Sequence, residues 1–199
     1  MTVYASLSIS LDGYYTGPNP SPENMLGEGG EVLHSWFAHD VADRTQLSVE
    51  EVIREEMDQL GAMIMGRDSY EHAQAAWGPR PPFEVPIFVL THRPRSDDVR
   101  EGTTFQFVTG GFETALEGVK SAAAPGKRVG LHGGGAMRQG MRLGALEELQ
   151  LHVIPVVLGR GRRLFEEADS QIPLEQIRTA QGSGVTHLKY RVLPRTAPR

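Results

Sequence analysis

The sequence predicts an α/β fold: a largely parallel sheet with helices between its strands, finished by an antiparallel hairpin. Three observations predict it. Short apolar runs alternate with helix-like segments through the middle of the chain, the pattern of strands joined by crossover helices. Glycines cluster where strand-like runs give way to helices. Near the end, Leu174 to Gln181 and Val185 to Leu193 are strand-like runs joined only by Gly182-Ser183-Gly184, which reads as a hairpin.

The elements follow in order. Val3, Ala5, Leu7 and Ile9 alternate with Tyr4, Ser6, Ser8 and Ser10, a strand pattern closed by the turn Leu11-Asp12-Gly13. Gly17 to Gly30 is rich in Pro, Gly, Asn and Ser and reads as a long loop. Ser48 and Glu51 fit a capping box; Val49, Val52, Ile53, Met57 and Leu60 then recur at helical spacing, with Gly61 as the expected stop. Ala62 to Met65 is a short apolar strand, and Gly66 opens a helix from Arg67 to about Ala76. The prolines between Trp77 and Pro86 demand a loop before the β-prone run Ile87 to Thr91. Thr104 to Val108 (strand), Glu113 to Ala123 (helix), Arg128 to His132 (strand), Gly135 to Leu143 (helix) and Glu148 to Ile154 (strand) complete the alternation.

At 199 residues the chain is expected to form one domain, residues 1–199. The absence of cysteine excludes disulfides, thiolate metal sites and cysteine nucleophiles. The histidines show no convincing ligand spacing beyond a weak His34/His39 pair, so no metal is expected. The first residues lack the basic and apolar segments of a signal peptide, and no run approaches a membrane span, so a cytoplasmic protein without a membrane partner is predicted. A net charge of −5 disfavours nucleic acid as a partner. A small anion can still bind locally, since 17 of the 20 basic residues are arginine.

Four strand exits are candidate binding segments. In the first, Gly66, Arg67 and Ser69 stand at a helix start, where free N–H groups and the helix dipole favour an anion; a plain strand-to-helix turn is the alternative. In the second, Leu90, Thr91, His92 and Arg93, with Arg95 beyond Pro94, leave a strand where an arginine could hold a ribose 2′-phosphate or simply be solvated. In the third, Gly133, Gly134, Gly135, Ala136 and Met137 give up backbone entropy, which suits close approach to a pyrophosphate or a glycine hinge. The fourth, Pro155 to Phe165, carries spaced glycines and three arginines, and reads as a closing loop or as a solvated turn. Asp12, beside polar Ser8 and Ser10, is the candidate catalytic carboxylate, although Asp-Gly is also a common turn pair.

Taken together, Ser10-Leu11-Asp12-Gly13, Ile64-Met65-Gly66-Arg67, Val89-Leu90-Thr91, Gly133-Gly134-Gly135 and Pro155 to Phe165 with Leu158-Gly159-Arg160-Gly161 resemble the reductase domain of bifunctional riboflavin-biosynthesis deaminase-reductases. The Gly66-Arg67 and triple-glycine pieces are also similar to dihydrofolate reductase. The resemblance implies a stand-alone, dihydrofolate-reductase-like three-layer αβα sandwich and an NADPH cofactor. It implies hydride transfer to an imine-like carbon of a small heterocyclic substrate, as in reduction of 5-amino-6-(5-phosphoribosylamino)uracil. Dihydrofolate reduction and a non-catalytic NADPH-binding module are the alternatives. It places the cofactor phosphates on Gly66, Arg67, Ser69 and Gly133 to Ala136, and the adenosine end on Thr91 and Arg93. Asp12 and Gly13 fall near nicotinamide and substrate, with Leu158, Gly159 and Gly161 closing the cleft. It also implies a homodimer. The segment Tyr15 to Leu47 is longer than the riboflavin enzymes lead one to expect; its Trp36, Phe37 and His39 are candidates to reshape the substrate pocket. The zinc-binding deaminase domain is absent from the chain.

Overall fold

A computed structural model describes residues 1–38, 45–165 and 171–195. His39, named above, lies outside them. The strands are β1 (Val3–Ser10), β2 (Tyr14–Thr16), β3 (Leu60–Gly66), β4 (Ile87–Leu90), β5 (Asp98–Arg100), β6 (Thr103–Val108), β7 (Arg128–His132), β8 (Glu148–Ile154), β9 (Arg162–Arg163), β10 (Leu174–Gly182) and β11 (Val185–Val192). The helices are α1 (Val49–Gln59), α2 (Arg67–Trp77), α3 (Gly111–Ala122) and α4 (Gly134–Arg142), with a 3-10 segment at Gly30–Ala38.

Among the described residues, nine strands form one sheet in the order β10-β11-β8-β1-β7-β3-β4-β6-β5. The six from β8 to β6 run parallel, while β5, β11 and β10 each pair antiparallel to their neighbours at the edges. The strand period of two sorts side chains between the faces. Ala62 and Ile64 of β3, with Val3 and Ala5 of β1, pack beneath Phe112, Ala115 and Val119 of α3 and Met137 of α4. Met63 and Met65, with Ile87 and Val89, pack on the opposite face against Tyr70 of α2. Helices thus cover both faces of the parallel sheet.

The capping box forms as expected: the Ser48 N–H donates to Glu51 Oε2 at 2.8 Å, and the Glu51 N–H to Ser48 Oγ at 3.2 Å. Gly61 is not the helix stop. It lies inside β3, where a β-carbon would come within 2.5 Å of Lys127 Cβ, so glycine serves close packing there. Among the described residues no helix is long and apolar enough to cross a membrane.

Candidate active site

Because β1, β7, β3 and β4 are parallel neighbours, their carboxyl ends open on one edge, and a cleft of about 950 Å³ lies there. Its walls include Gly66, Arg67 and Ser69 from the first exit, Leu90, Thr91 and His92 from the second, and Gly133, Gly134 and Gly135 from the third. Trp36 closes the far side. Gly133 has φ +84°, and a β-carbon on it would sit 2.2 Å from Ser69 Oγ. A residue with no side chain therefore lets the start of α4 touch the start of α2.

Neither helix has a side-chain cap: Gly66 and Gly133 occupy the two N-cap positions. The orphan N–H groups of both first turns, and the positive ends of both dipoles, meet in one place. A β-carbon at Gly135 would touch nothing within 4 Å, and at Gly66 only Ser69 Oγ at 3.9 Å. That empty cradle over two helix starts fits a diphosphate. Asp68 holds Arg67 at 2.9 Å and Arg162 at 3.0 Å, and Arg67 also reaches Glu71 at 3.8 Å, so two guanidinium groups wait at the cleft mouth sharing the Asp68 carboxylate.

The inner half of the cleft is polar, and the sequence reading missed most of it. Ser6 and Ser8 of β1, His152 of β8 and Glu56 of α1 line it. The Trp36 Nε1–H donates to Ser8 Oγ at 3.0 Å, and its ring lies 4.8 Å from that of His152. His132, at the end of β7 between Trp77 and Phe83, is lowered by burial to about 4, and its Nδ1 is buried without a partner. It is therefore a neutral imidazole at pH 7. Burial likewise lowers His34 on the Trp36 side. Among the described residues no cluster of His, Asp and Glu could hold a metal ion.

Several predicted site residues lie elsewhere. Asp12 does not line the cleft. Its carboxylate accepts from the Ser10 hydroxyl at 2.6 Å, the Leu158 N–H at 3.0 Å and the Gly159 N–H at 2.7 Å. The Ser10 hydrogen bond first, with those backbone donors, lowers Asp12 to about 2, so it is an anion with no proton to give. It latches the turn after β1 to the loop after β8. Gly13, Leu158 and Gly159 belong to that latch and not to the cleft wall. Gly161 fits tightly against β2, with a β-carbon position 2.0 Å from the Thr16 carbonyl oxygen. Arg93 also lies outside the wall; its N–H closes a turn onto Thr91 Oγ1 at 3.1 Å. Ala136 and Met137 are fully buried beneath the α4 start, which leaves only backbone to offer there.

A model of the RibD C-terminal domain matches residues 1–188. The uncharacterized protein YyaP of Bacillus subtilis (strain 168) is 26% identical over 200 residues, spanning 94% of this chain and 93% of that protein. The crystal structure of a putative riboflavin biosynthesis protein from Shewanella sp. PV-4 superposes with a TM-score of 0.70 at 19% identity, covering 98% of this chain and 100% of that one. A dihydrofolate reductase from Enterococcus faecalis, solved in complex with NADP(H), superposes with a TM-score of 0.56 at 14% identity, covering 96% of each chain. At these identities the two superpositions establish the fold, which is dihydrofolate-reductase-like.

Proposed function

From the premise that this chain belongs to the RibD C-terminal domain family, we propose that it is an NADPH-dependent reductase acting on the imine-like carbon of a small heterocyclic substrate related to 5-amino-6-(5-phosphoribosylamino)uracil. The observation that carries the reading is the pair of uncapped helix starts, joined through Gly133 and Ser69, beside a polar inner pocket.

The backbone N–H groups at the starts of α2 and α4 hold the cofactor phosphates, and Arg67 and Arg162 add charge-assisted contacts. Thr91 and His92 border the adenosine end, and Arg93 just beyond them meets a ribose 2′-phosphate. When bound, NADPH supplies the hydride. Trp36, Met57, Phe83 and Trp77 wall the inner pocket against water, and Ser6, Ser8, His152 and Glu56 present hydrogen-bonding groups to the acceptor. Proximity and exclusion of water are worth several kcal/mol in such a site.

Both tryptophans of the chain, Trp36 and Trp77, line the cleft, so their fluorescence reports binding directly. NADPH is expected to quench it at concentrations at least ten-fold below NADH, and the Arg93→Ala variant to narrow that preference. Oxidation of NADPH is then followed with the ribosylaminopyrimidine phosphate and, separately, with dihydrofolate. Turnover of the second alone would reassign the substrate. Binding without turnover of either would favour the non-catalytic module, and absence of binding would overturn the reading.

A further inference from the structure

Behind Trp36, three strands and one helix contribute polar groups to a single hydrogen-bonded chain. His187 Nδ1 and His152 Nδ1 are 2.7 Å apart, His152 Nε2 and Ser6 Oγ 2.8 Å, and Ser6 Oγ and Glu56 Oε1 2.6 Å. Gln150 Nε2 donates to the same Glu56 oxygen at 2.9 Å, and Oε2 has no hydrogen-bond partner among the described residues. At the other end His187 Nε2 is buried without a partner, under the hairpin turn, where a β-carbon at Gly182 would come within 2.7 Å.

Counting protons orders the chain. A carboxylate only accepts, so the one Ser6 hydroxyl proton points at Glu56. Ser6 Oγ then accepts from the His152 Nε2–H. The bare Nδ1 of that neutral ring in turn accepts from the His187 Nδ1–H. His187 Nε2 is left as a lone pair, so no orphan N–H is buried. With one further proton two other orders are consistent: Glu56 protonated and every bond reversed, or His152 an imidazolium facing the Glu56 carboxylate, with Nε2 and Oε1 3.4 Å apart. In the former the added proton is taken up at His187 Nε2 and passed one bond along at each link.

We infer that His187, His152 and Ser6 form a proton wire that reloads Glu56 from beneath the β10–β11 turn, and that Glu56 protonates the substrate in the cleft. The inference rests on the reductase reading. Reduction of a C=N bond takes a hydride at carbon and a proton at nitrogen. From the first order, the Ser6 proton moves to Glu56, the His152 Nε2 proton to Ser6 and the His187 Nδ1 proton to His152, as opening of the β10–β11 turn admits one from solvent to the otherwise buried His187 Nε2. Glu56 then gives its proton to the substrate nitrogen and returns to carboxylate, and the Ser6 hydroxyl and both imidazoles reset to the first order, one proton having entered and one left. The charged and titratable groups facing the wire are Tyr4 from β1, whose hydroxyl donates to the Glu56 carbonyl at 3.1 Å, His34 from the 3-10 segment, Glu56 from α1 and Arg178 from β10. Arg178 and Lys189 are themselves paired with Glu55 at 2.8 and 3.2 Å. Burial first, and then His152, lower His187 to about 4, so this ring passes a proton without resting as imidazolium.

The test is imidazole ¹⁵N NMR of the ligand-free protein, which distinguishes protonated from bare ring nitrogens. At neutral pH His187 should carry its proton on Nδ1 and His152 on Nε2. Acidification should move both, in one shared step, to Nε2 and Nδ1 respectively, and the step should vanish in Glu56→Gln. Separate titration of the two rings, or an unchanged step in Glu56→Gln, overturns the wire. With the ribosylaminopyrimidine phosphate as acceptor, His187→Asn keeps an N–H donor toward His152 but cannot conduct. Turnover should fall at least ten-fold there, with the KM for NADPH unchanged; wild-type turnover overturns the role in reaction. Failure of the wild-type protein to bind NADPH would overturn the reductase reading while leaving the tautomer step in place.

Discussion

Gly135 is the position where stability and cofactor binding should move in opposite directions. It is the second residue of α4, and a β-carbon on it would meet nothing within 4 Å, because the space it faces is the cleft. Replacing it with aspartate removes the helix-interior cost of glycine and sets a negative charge at the positive end of the dipole, each worth several tenths of a kcal/mol, for a net gain of about 1 kcal/mol. The same carboxylate faces any bound diphosphate. Two unit charges about 4 Å apart interact by about 4 kcal/mol near a protein surface, and the open, salt-screened cleft reduces this to about 2 kcal/mol. At 1.36 kcal/mol per decade that weakens binding about thirty-fold. Gly135→Asn supplies similar bulk without the charge and separates repulsion from filling. The assay pairs urea unfolding with tryptophan titration by NADPH. A Gly135→Asp protein that is more stable yet binds NADPH as tightly as Gly135→Asn would refute the placing of phosphate over this helix start.

Gly133→Ala meets both a left-handed backbone and Ser69 Oγ at 2.2 Å. It should cost about 2 kcal/mol or more in urea unfolding, and Ser69→Ala should return only the steric part, which a double-mutant cycle would show. Asp12→Asn should leave turnover intact and lower Tm. Since the folded pKa of Asp12, about 2, lies below its ordinary 3.8, the latch contributes above about pH 4 and is lost as pH falls toward 2. The Tm gap from wild type should therefore close on acidification, and a loss of activity with Tm unchanged would restore a catalytic role. Asp68→Asn frees Arg67 and Arg162 from exposed ion pairs, 40–45% accessible on each side, so stability should change by less than about 0.5 kcal/mol. NADPH affinity should rise about five-fold at low salt, and weaker binding would mean that Asp68 positions the two arginines instead.

The frame of the fold was legible because local chemistry and long-range structure agree there. Ser48 and Glu51 announce α1, the Gly182-Ser183-Gly184 turn announces the hairpin, and three strand exits, two of them marked by glycine, do meet in one cleft. The small strands were not. β5 is the short Asp-Val-Arg triplet Asp98–Arg100, charged at both ends, and β2 and β9 span two or three residues and pair only across the length of the chain. The inner site was hidden for a related reason. Glu56 sits on a helix that also carries Glu50, Glu51, Glu55 and Asp58, and among them nothing local marks the one that turns inward. His152 and His187 become neighbours only through the register of β8 against β11. One signal was available: Ser6 and Ser8 fill the polar parity of a strand with neighbours on both sides, where side chains cannot all reach bulk water. Asp12 misled because a carboxylate in a turn beside serines has the same sequence whether it faces a ligand or two backbone amides.

The place of β1 in the sheet also bears on how the chain reaches this structure. Among the described residues β1 has its ladder partners in β7 and β8, whose pairings with it begin at residues 129 and 148. By contrast β3, β4 and β6 are successive neighbours and can zip together while synthesis continues. Strand β1 must therefore wait unpaired until residue 129 has been made, and its alternating serines keep the waiting strand less sticky than a fully apolar one. The residues that later face the cleft thus also serve the nascent chain.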